Sequence, residues 1–240
     1  MAGREFLVIG HRGARGHAPE NTLLAFDTGI ALGAPWVELD VQLHRASGEL
    51  PVIHDLSVDR TTNGRGYVED LGWPALRQLD AGKGQRIPTL GEVLELVDQR
   101  AGINVELKTW DGTAAAVAPV LRAAIAAGWP ADQFLVSSFH LPELYEFHEL
   151  APEIPVGVLL AGVPLDWAGA ASELGATHLN ISAEFADARL IADAHTRGLK
   201  VLAYTVNEPG DFTRLRRLGV DGVFTDFPDR ALSTSGLARG

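Results

Sequence analysis

Two histidines and three carboxylates stand where a parallel α/β fold would gather them. The apolar run Phe6-Leu7-Val8-Ile9-Gly10 stops abruptly at His11-Arg12-Gly13, with Pro19-Glu20-Asn21-Thr22 close behind. A strand end, a polar loop and a helix start in that order mark where α/β folds place their chemistry. In Trp36-Val37-Glu38-Leu39-Asp40-Val41 the side chains alternate between faces, so Glu38 and Asp40 share one face. Ile103-Asn104-Val105-Glu106-Leu107-Lys108 repeats the pattern, with Asn104, Glu106 and Lys108 together. Carboxylates turned into a core are costly unless paired or metal-bound. Glu38, Asp40 and Glu106 on neighbouring strands therefore predict a site for one divalent cation. Hard oxygen donors suit Mg²⁺, Ca²⁺ or Mn²⁺ better than structural zinc. The alternative is an ion-pair network in which Lys108 and Arg12 neutralise the same carboxylates.

His11 ends the first apolar run, and His54 in Val52-Ile53-His54-Asp55 lies just beyond the second strand. Flanking the carboxylates, they are the candidate acid/base pair, since histidine titrates near neutral pH. Asp55 reads more readily as a turn residue than as a partner that orients a histidine. His44 is expected at a solvated rim. His17, His140, His148, His178 and His195 carry no comparable spacing signal. Arg12 and Lys108 add positive charge beside the cation site, which fits a phosphate substrate.

The elements that must position these groups alternate along the chain. Apolar runs with strand character begin near Phe6, Trp36, Ile103, Phe134, Val156, His178, Val201 and Gly222, with helix-like stretches between them. That rhythm predicts a parallel sheet, closed as a (β/α)₈ barrel in a single domain spanning residues 1–240; an open doubly wound sheet is the alternative. Asn21 or Thr22 can cap the first helix, which runs to Gly33, and Thr89-Leu90-Gly91-Glu92 reads as a capping box. Further helices are expected over Thr113–Gly128, Ala188–Gly198 and Asp211–Gly219. Between Val41 and Pro88 the rhythm breaks. This segment reads as a helix-free excursion, with a hairpin turn at Ser47-Gly48, a return strand and a long loop of the kind that is usually functional. The tail from Ser233 is expected to fray.

A net charge of −11 disfavours nucleic acid and anionic membrane surfaces as partners. The absence of cysteine excludes disulfides, thiolate catalysis and Cys-ligated zinc. The apolar run before His11 is too short for a signal-peptide core, and no later stretch is long and apolar enough to span a membrane, so a cytoplasmic protein is expected.

The motifs in their order resemble the glycerophosphodiester phosphodiesterase family over nearly the whole chain. The likeness rests on His11-Arg12-Gly13 with Pro19-Glu20-Asn21-Thr22, Glu38-Leu39-Asp40-Val41, and His54-Asp55 with Arg60-Thr61-Thr62. Glu106-Leu107-Lys108, Thr205-Val206-Asn207 and Thr225-Asp226 with Pro228 extend it. The resemblance implies a TIM barrel, one bound Mg²⁺ or Ca²⁺, and hydrolysis of small glycerophosphodiesters to glycerol 3-phosphate and an alcohol. It places Glu38, Asp40 and Glu106 as metal ligands, His11 and His54 as acid and base, and Arg12 and Lys108 against the phosphate. Tyr204 stands where many relatives have Trp, on the wall for the glycerol or alcohol group. The short stretch from Asp55 to Pro88 implies an open site. A lysophospholipase D type of enzyme on the same barrel, or a non-catalytic phosphodiester-binding protein, are the rival readings. Trp73, Trp110, Phe139 and Phe227 are too few as apolar candidates to favour the first.

Overall fold

The computed structural model describes residues 6–235. Eight parallel strands close a barrel in chain order. They are β1 (Leu7–Gly10), β2 (Trp36–Val41), β3 (Gly102–Leu107), β4 (Phe134–Ser138), β5 (Val156–Leu160), β6 (His178–Ser182), β7 (Lys200–Tyr204) and β8 (Gly222–Thr225). The closed sheet excludes the open doubly wound alternative, because β1 pairs with β8 from Leu7↔Gly222 to Gly10↔Thr225.

Helices pack outside: α1 (Leu23–Ala31), α3 (Leu90–Val97), α4 (Thr113–Ala126), α5 (Leu141–Leu150), α6 (Gly169–Leu174), α7 (Ala188–Thr196), α8 (Pro209–Leu218) and α9 (Pro228–Ser235). Thr22, not Asn21, caps α1 by accepting from the Ala25 N–H. Thr89 and Glu92 form the expected capping box of α3. Helix α9 carries the chain in helical form through Ser235, past the Ser233 start of the tail. The rest of that tail, residues 236–240, lies outside the described residues, as do residues 1–5.

The main core lies between the outer strand faces and the helices, where Val37, Leu39, Val105 and Val136 are buried against Phe26, Leu90 and Leu121. A smaller cluster of Ile9, Leu135, Leu202 and Phe224, with Trp36 against it, fills the barrel itself. Trp36 lies so close over Gly102 that a Cβ there would fall 2.3 Å from the indole, so only glycine fits. This apolar plug forms a floor, and the polar residues further along each strand stand above it.

The excursion after β2 packs on its own small core, Ile53, Val58, Val68, Leu76, Ala81 and Ile87. Its hairpin turns at residues 45–48, closed by the antiparallel bridge His44↔Glu49 with Val41↔Val52 further back. The return arm holds only isolated bridges, and a one-turn helix, α2 (Trp73–Leu76), interrupts the expected helix-free stretch. Pro74 at its first turn suits a helix start.

Candidate active site

Register brings the carboxylates together. Glu38 on β2 pairs with Asn104 on β3, and Asp40 with Glu106. One carboxylate oxygen from each of Glu38, Asp40 and Glu106 lies within 4.8 Å of the others. Glu38 and Asp40 are buried, at 2% and 1% exposure. Glu38 Oε2 accepts the Arg12 backbone N–H at 2.7 Å, and Asn21 Nδ2 donates to Asp40 Oδ2 at 2.8 Å. Glu38 Oε1 and Asp40 Oδ1 have no hydrogen-bond partner. Burial, then the neighbouring Asp40 charge, pushes the Glu38 carboxyl well above its usual range and Glu106 up to about 7. Buried, mutually repelling oxygens without donors are what a divalent cation satisfies, so the donor set fits a hard metal ion.

Each histidine is held by a carboxylate through Nδ1. His11 Nδ1 is 2.7 Å from Asp226 Oδ1, and His54 Nδ1 is 2.6 Å from Asp55 Oδ1. A carboxylate only accepts, so both rings carry Nδ1–H and leave Nε2 as the free base. Burial lowers both imidazole pKa values against the pull of these carboxylates, favouring neutral rings. Asn207 Nδ2 steadies Asp226 from the far side at 2.9 Å.

The cations are threaded through the same network. Lys108 donates to Glu106 Oε1 at 2.7 Å and lies 3.2 Å from His54 Nε2. Arg12 is buried, donates from Nη1 to Glu20 at 2.5 Å and places Nε 3.2 Å from Asp40. Arg60 joins the two halves: its guanidinium donates to both Glu20 oxygens at 2.8 Å and from Nε to Asp55 Oδ2 at 2.6 Å. Burial of Glu20 opposes ionisation, yet bonds from Arg60 and Arg12 hold its pKa down at about 2. Gly13 follows Arg12 in the left-handed region (φ 84°), where an added Cβ would strike the Ala25 backbone at 2.5 Å.

These groups line one cavity of about 250 Å³ at the carboxyl ends of the strands. His11, Arg12, Glu38, His54, Glu106, Lys108 and Tyr204 all border it. Asp40, clustered with Glu38 and Glu106, lies 3.8 Å from Lys108 Nζ. The Tyr204 hydroxyl donates to the Leu160 carbonyl at 2.9 Å, and its ring meets Phe139 edge to face, giving the cavity an apolar wall. Arg15 also borders the cavity and was not singled out in the sequence.

Two readings change. His44 is not a solvated rim residue: it is 1% exposed, with its ring nitrogens 2.7 Å from Ser47 Oγ and 2.8 Å from the Leu71 carbonyl. It ties the hairpin to the loop beyond it. Asp55 is more than a turn residue, since it holds His54. Asp226, Glu20 and Arg60 complete the arrangement, and each stood within a quoted motif without a role.

Comparison with known proteins gives one answer. The model of the glycerophosphoryl diester phosphodiesterase family matches residues 11–230. A glycerophosphodiester phosphodiesterase of Bacillus altitudinis is 38% identical, covering 94% of this chain and 96% of its own. One of Caldanaerobacter subterraneus is 37% identical, covering 95% and 96%. Among solved structures, a phosphodiesterase of Oleispira antarctica in complex with the product sn-glycerol-3-phosphate superposes with a TM-score of 0.88 at 34% identity, covering 96% of each chain.

Proposed function

The chain belongs to the glycerophosphoryl diester phosphodiesterase family, and from that premise we propose that it hydrolyses glycerophosphodiesters to glycerol 3-phosphate and an alcohol. The observation that carries the reading is the juxtaposition of the three carboxylates with two carboxylate-held histidines around one cavity. Glu38, Asp40 and Glu106 would hold one divalent cation, which supplies positive charge to phosphoryl oxygens when bound. Arg12 and Lys108 stand beside it to hold the remaining phosphate charge. The Nε2 of one histidine takes the proton of the attacking hydroxyl. The other histidine, once protonated, gives its proton to the departing alcohol oxygen as the P–O bond breaks. The nucleophile is water, or the neighbouring glycerol hydroxyl by way of a cyclic phosphate. The floor of apolar side chains and the Tyr204–Phe139 wall keep bulk water to one side.

Release of glycerol 3-phosphate from glycerophosphocholine, followed by a coupled dehydrogenase, tests the reading. Turnover is expected, with loss in EDTA and recovery on adding Mg²⁺, Ca²⁺ or Mn²⁺. No turnover of any glycerophosphodiester with any of these ions would defeat the proposal. Full activity in EDTA would remove the cation from it. A panel including lysophosphatidylcholine separates the lysophospholipase D reading, and ligand binding without turnover would revive the non-catalytic one. None of the described helices is long and apolar enough to cross a membrane.

Arg60 offers a test of positioning. It touches neither carboxylate trio nor imidazole, but it fixes the acids that hold Arg12 and His54. Arg60→Met is expected to lower kcat by about 10- to 100-fold with a smaller change in KM, the usual effect of losing an outer partner. Arg60→Lys should recover only part, because an ammonium cannot grip two carboxylates side by side. Steady-state kinetics of the two variants check this, and an unchanged kcat in Arg60→Met would show that the clamp is structural.

A further inference from the structure

The carboxyl-end face of the barrel is divided into two kinds of rim. Loops following β1 and β7 expose charged side chains such as Arg15 and Glu208, and neither they nor the loop after β8 exposes a large apolar one. Loops following β2 to β6 expose large apolar ones. Leu56 and Tyr67 after β2 are 51% and 60% exposed, and Trp110 after β3 is 49% exposed. Phe139 after β4 is 46% exposed, Leu165 after β5 is fully exposed, and Phe185 after β6 is 45% exposed. Scattered exposed apolar residues need no explanation, but their concentration on five successive loops of one rim does. Phe139 also lines the catalytic cavity, so the arc begins at its mouth. Further out, Leu56, Tyr67 and Trp110 border a second cavity of about 340 Å³ together with Arg45 and the acids Glu69, Asp70 and Asp111.

We propose that this arc docks the chain on the surface of a choline-headed lipid, with the catalytic mouth facing the headgroups. A protein seated on these loops would cover the mouth, whereas a lipid surface presents phosphodiesters to it. Charge selects the kind of surface. Exposed acids on these loops, Glu69, Asp70, Asp111, Asp166 and Glu184 among them, outnumber the exposed bases Arg45, Arg60, Arg65, Lys83 and Arg86, and with the net charge of −11 they oppose anionic headgroups. The outermost layer of a choline-headed surface is quaternary ammonium, which acidic side chains and the faces of Tyr67 and Trp110 attract. Aromatic rings also settle at such interfaces in their own right. Docking therefore goes beyond the proposed hydrolysis and has a readout that does not depend on it.

The test is co-sedimentation with phosphatidylcholine vesicles, using the wild type and the triple variant Leu56→Asp/Leu165→Asp/Phe185→Asp. The wild type is expected to bind at millimolar lipid, and to bind more weakly when a third of the lipid is phosphatidylglycerol. The triple variant should partition at least about tenfold less, since each change removes an inserted apolar group. Leu165→Asp alone, at a position without packing to lose, should weaken binding in the same direction. Unchanged glycerophosphocholine turnover in the variants shows that they are folded and that the loss belongs to docking. Absence of wild-type binding, or equal binding by the variants, overturns the proposal. So does a concentration-dependent dimer that the triple variant dissolves, which would make the arc an interface between copies. Loss of glycerophosphocholine turnover in the wild type would count against the hydrolysis while leaving the vesicle result to stand.

Discussion

Replacing His11 or His54 by alanine is expected to lower kcat/KM for a glycerophosphodiester by about 10²- to 10⁴-fold, the range for removing a general acid or base. Both rings are prepared for proton transfer. A carboxylate at Nδ1 fixes the tautomer and the ring plane, and burial lowers each imidazole's pKa, favouring the neutral ring with Nε2 unprotonated. A single removal should be nearly as damaging as the double one, since each proton transfer belongs to the same displacement. Neither histidine belongs to the carboxylate cluster, so both variants should show the same rise in melting temperature with divalent cations that is expected of the wild type. Steady-state kinetics with thermal melts, with and without Mg²⁺ or Ca²⁺, check the two halves together. A variant that keeps more than a tenth of wild-type activity would take that histidine out of the chemistry.

The parts of this arrangement that were legible in the sequence are those encoded within one strand or one helix start. Alternation along Trp36–Val41 and Gly102–Leu107 placed Glu38, Asp40 and Glu106 on inward faces, and the barrel confirms that facing, because a two-residue period leaves no other choice once Val37, Leu39 and Val105 go to the helices. The partners of the histidines were not legible as partners. Asp226 meets His11 across 215 residues, only because β8 closes against β1. Arg60 meets Glu20 across 40 residues because the excursion folds back over the barrel mouth. His44 went wrong for the same reason: its position after β2 says rim, but the Leu71 carbonyl arrives from the returning loop and buries it. Local pattern fixes which face a side chain takes, whereas loop return decides what it touches there.

The acid cluster should weigh on the metal-free protein, and Glu38→Gln should reveal by how much. The substitution keeps an oxygen for the Arg12 N–H and removes one of three mutually repelling charges. The sign follows from the direction of the shifts. Glu38 lies well above its usual range and Glu106 at about 7, against about 4.3 for a glutamate in the unfolded chain. Below the unfolded value both states are protonated and the cluster costs nothing. As pH rises past it, the unfolded chain ionises freely while the folded one resists, so stability falls until pH passes the folded values, about 7 for Glu106. Glu38→Gln should therefore stabilise the metal-free protein by about 1–3 kcal/mol at pH 8, roughly 3–10 °C in Tm, with the gain vanishing near pH 4. The same variant should lose the stabilisation by divalent cations expected of the wild type, and with it the activity. Cation binding to the wild type should also release protons near pH 7, because Glu106 must give up its own. Melts across pH with EDTA or Mg²⁺, and titration calorimetry in buffers of different ionisation enthalpy, measure both effects. If Glu38→Gln is no more stable than the wild type at pH 8 in EDTA, the carboxylates are balanced by Arg12 and Lys108, and the ion-pair network suffices without a metal. A gain in stability tied to a loss of cation response would instead show that the site is destabilised to the measure that a cation can repay.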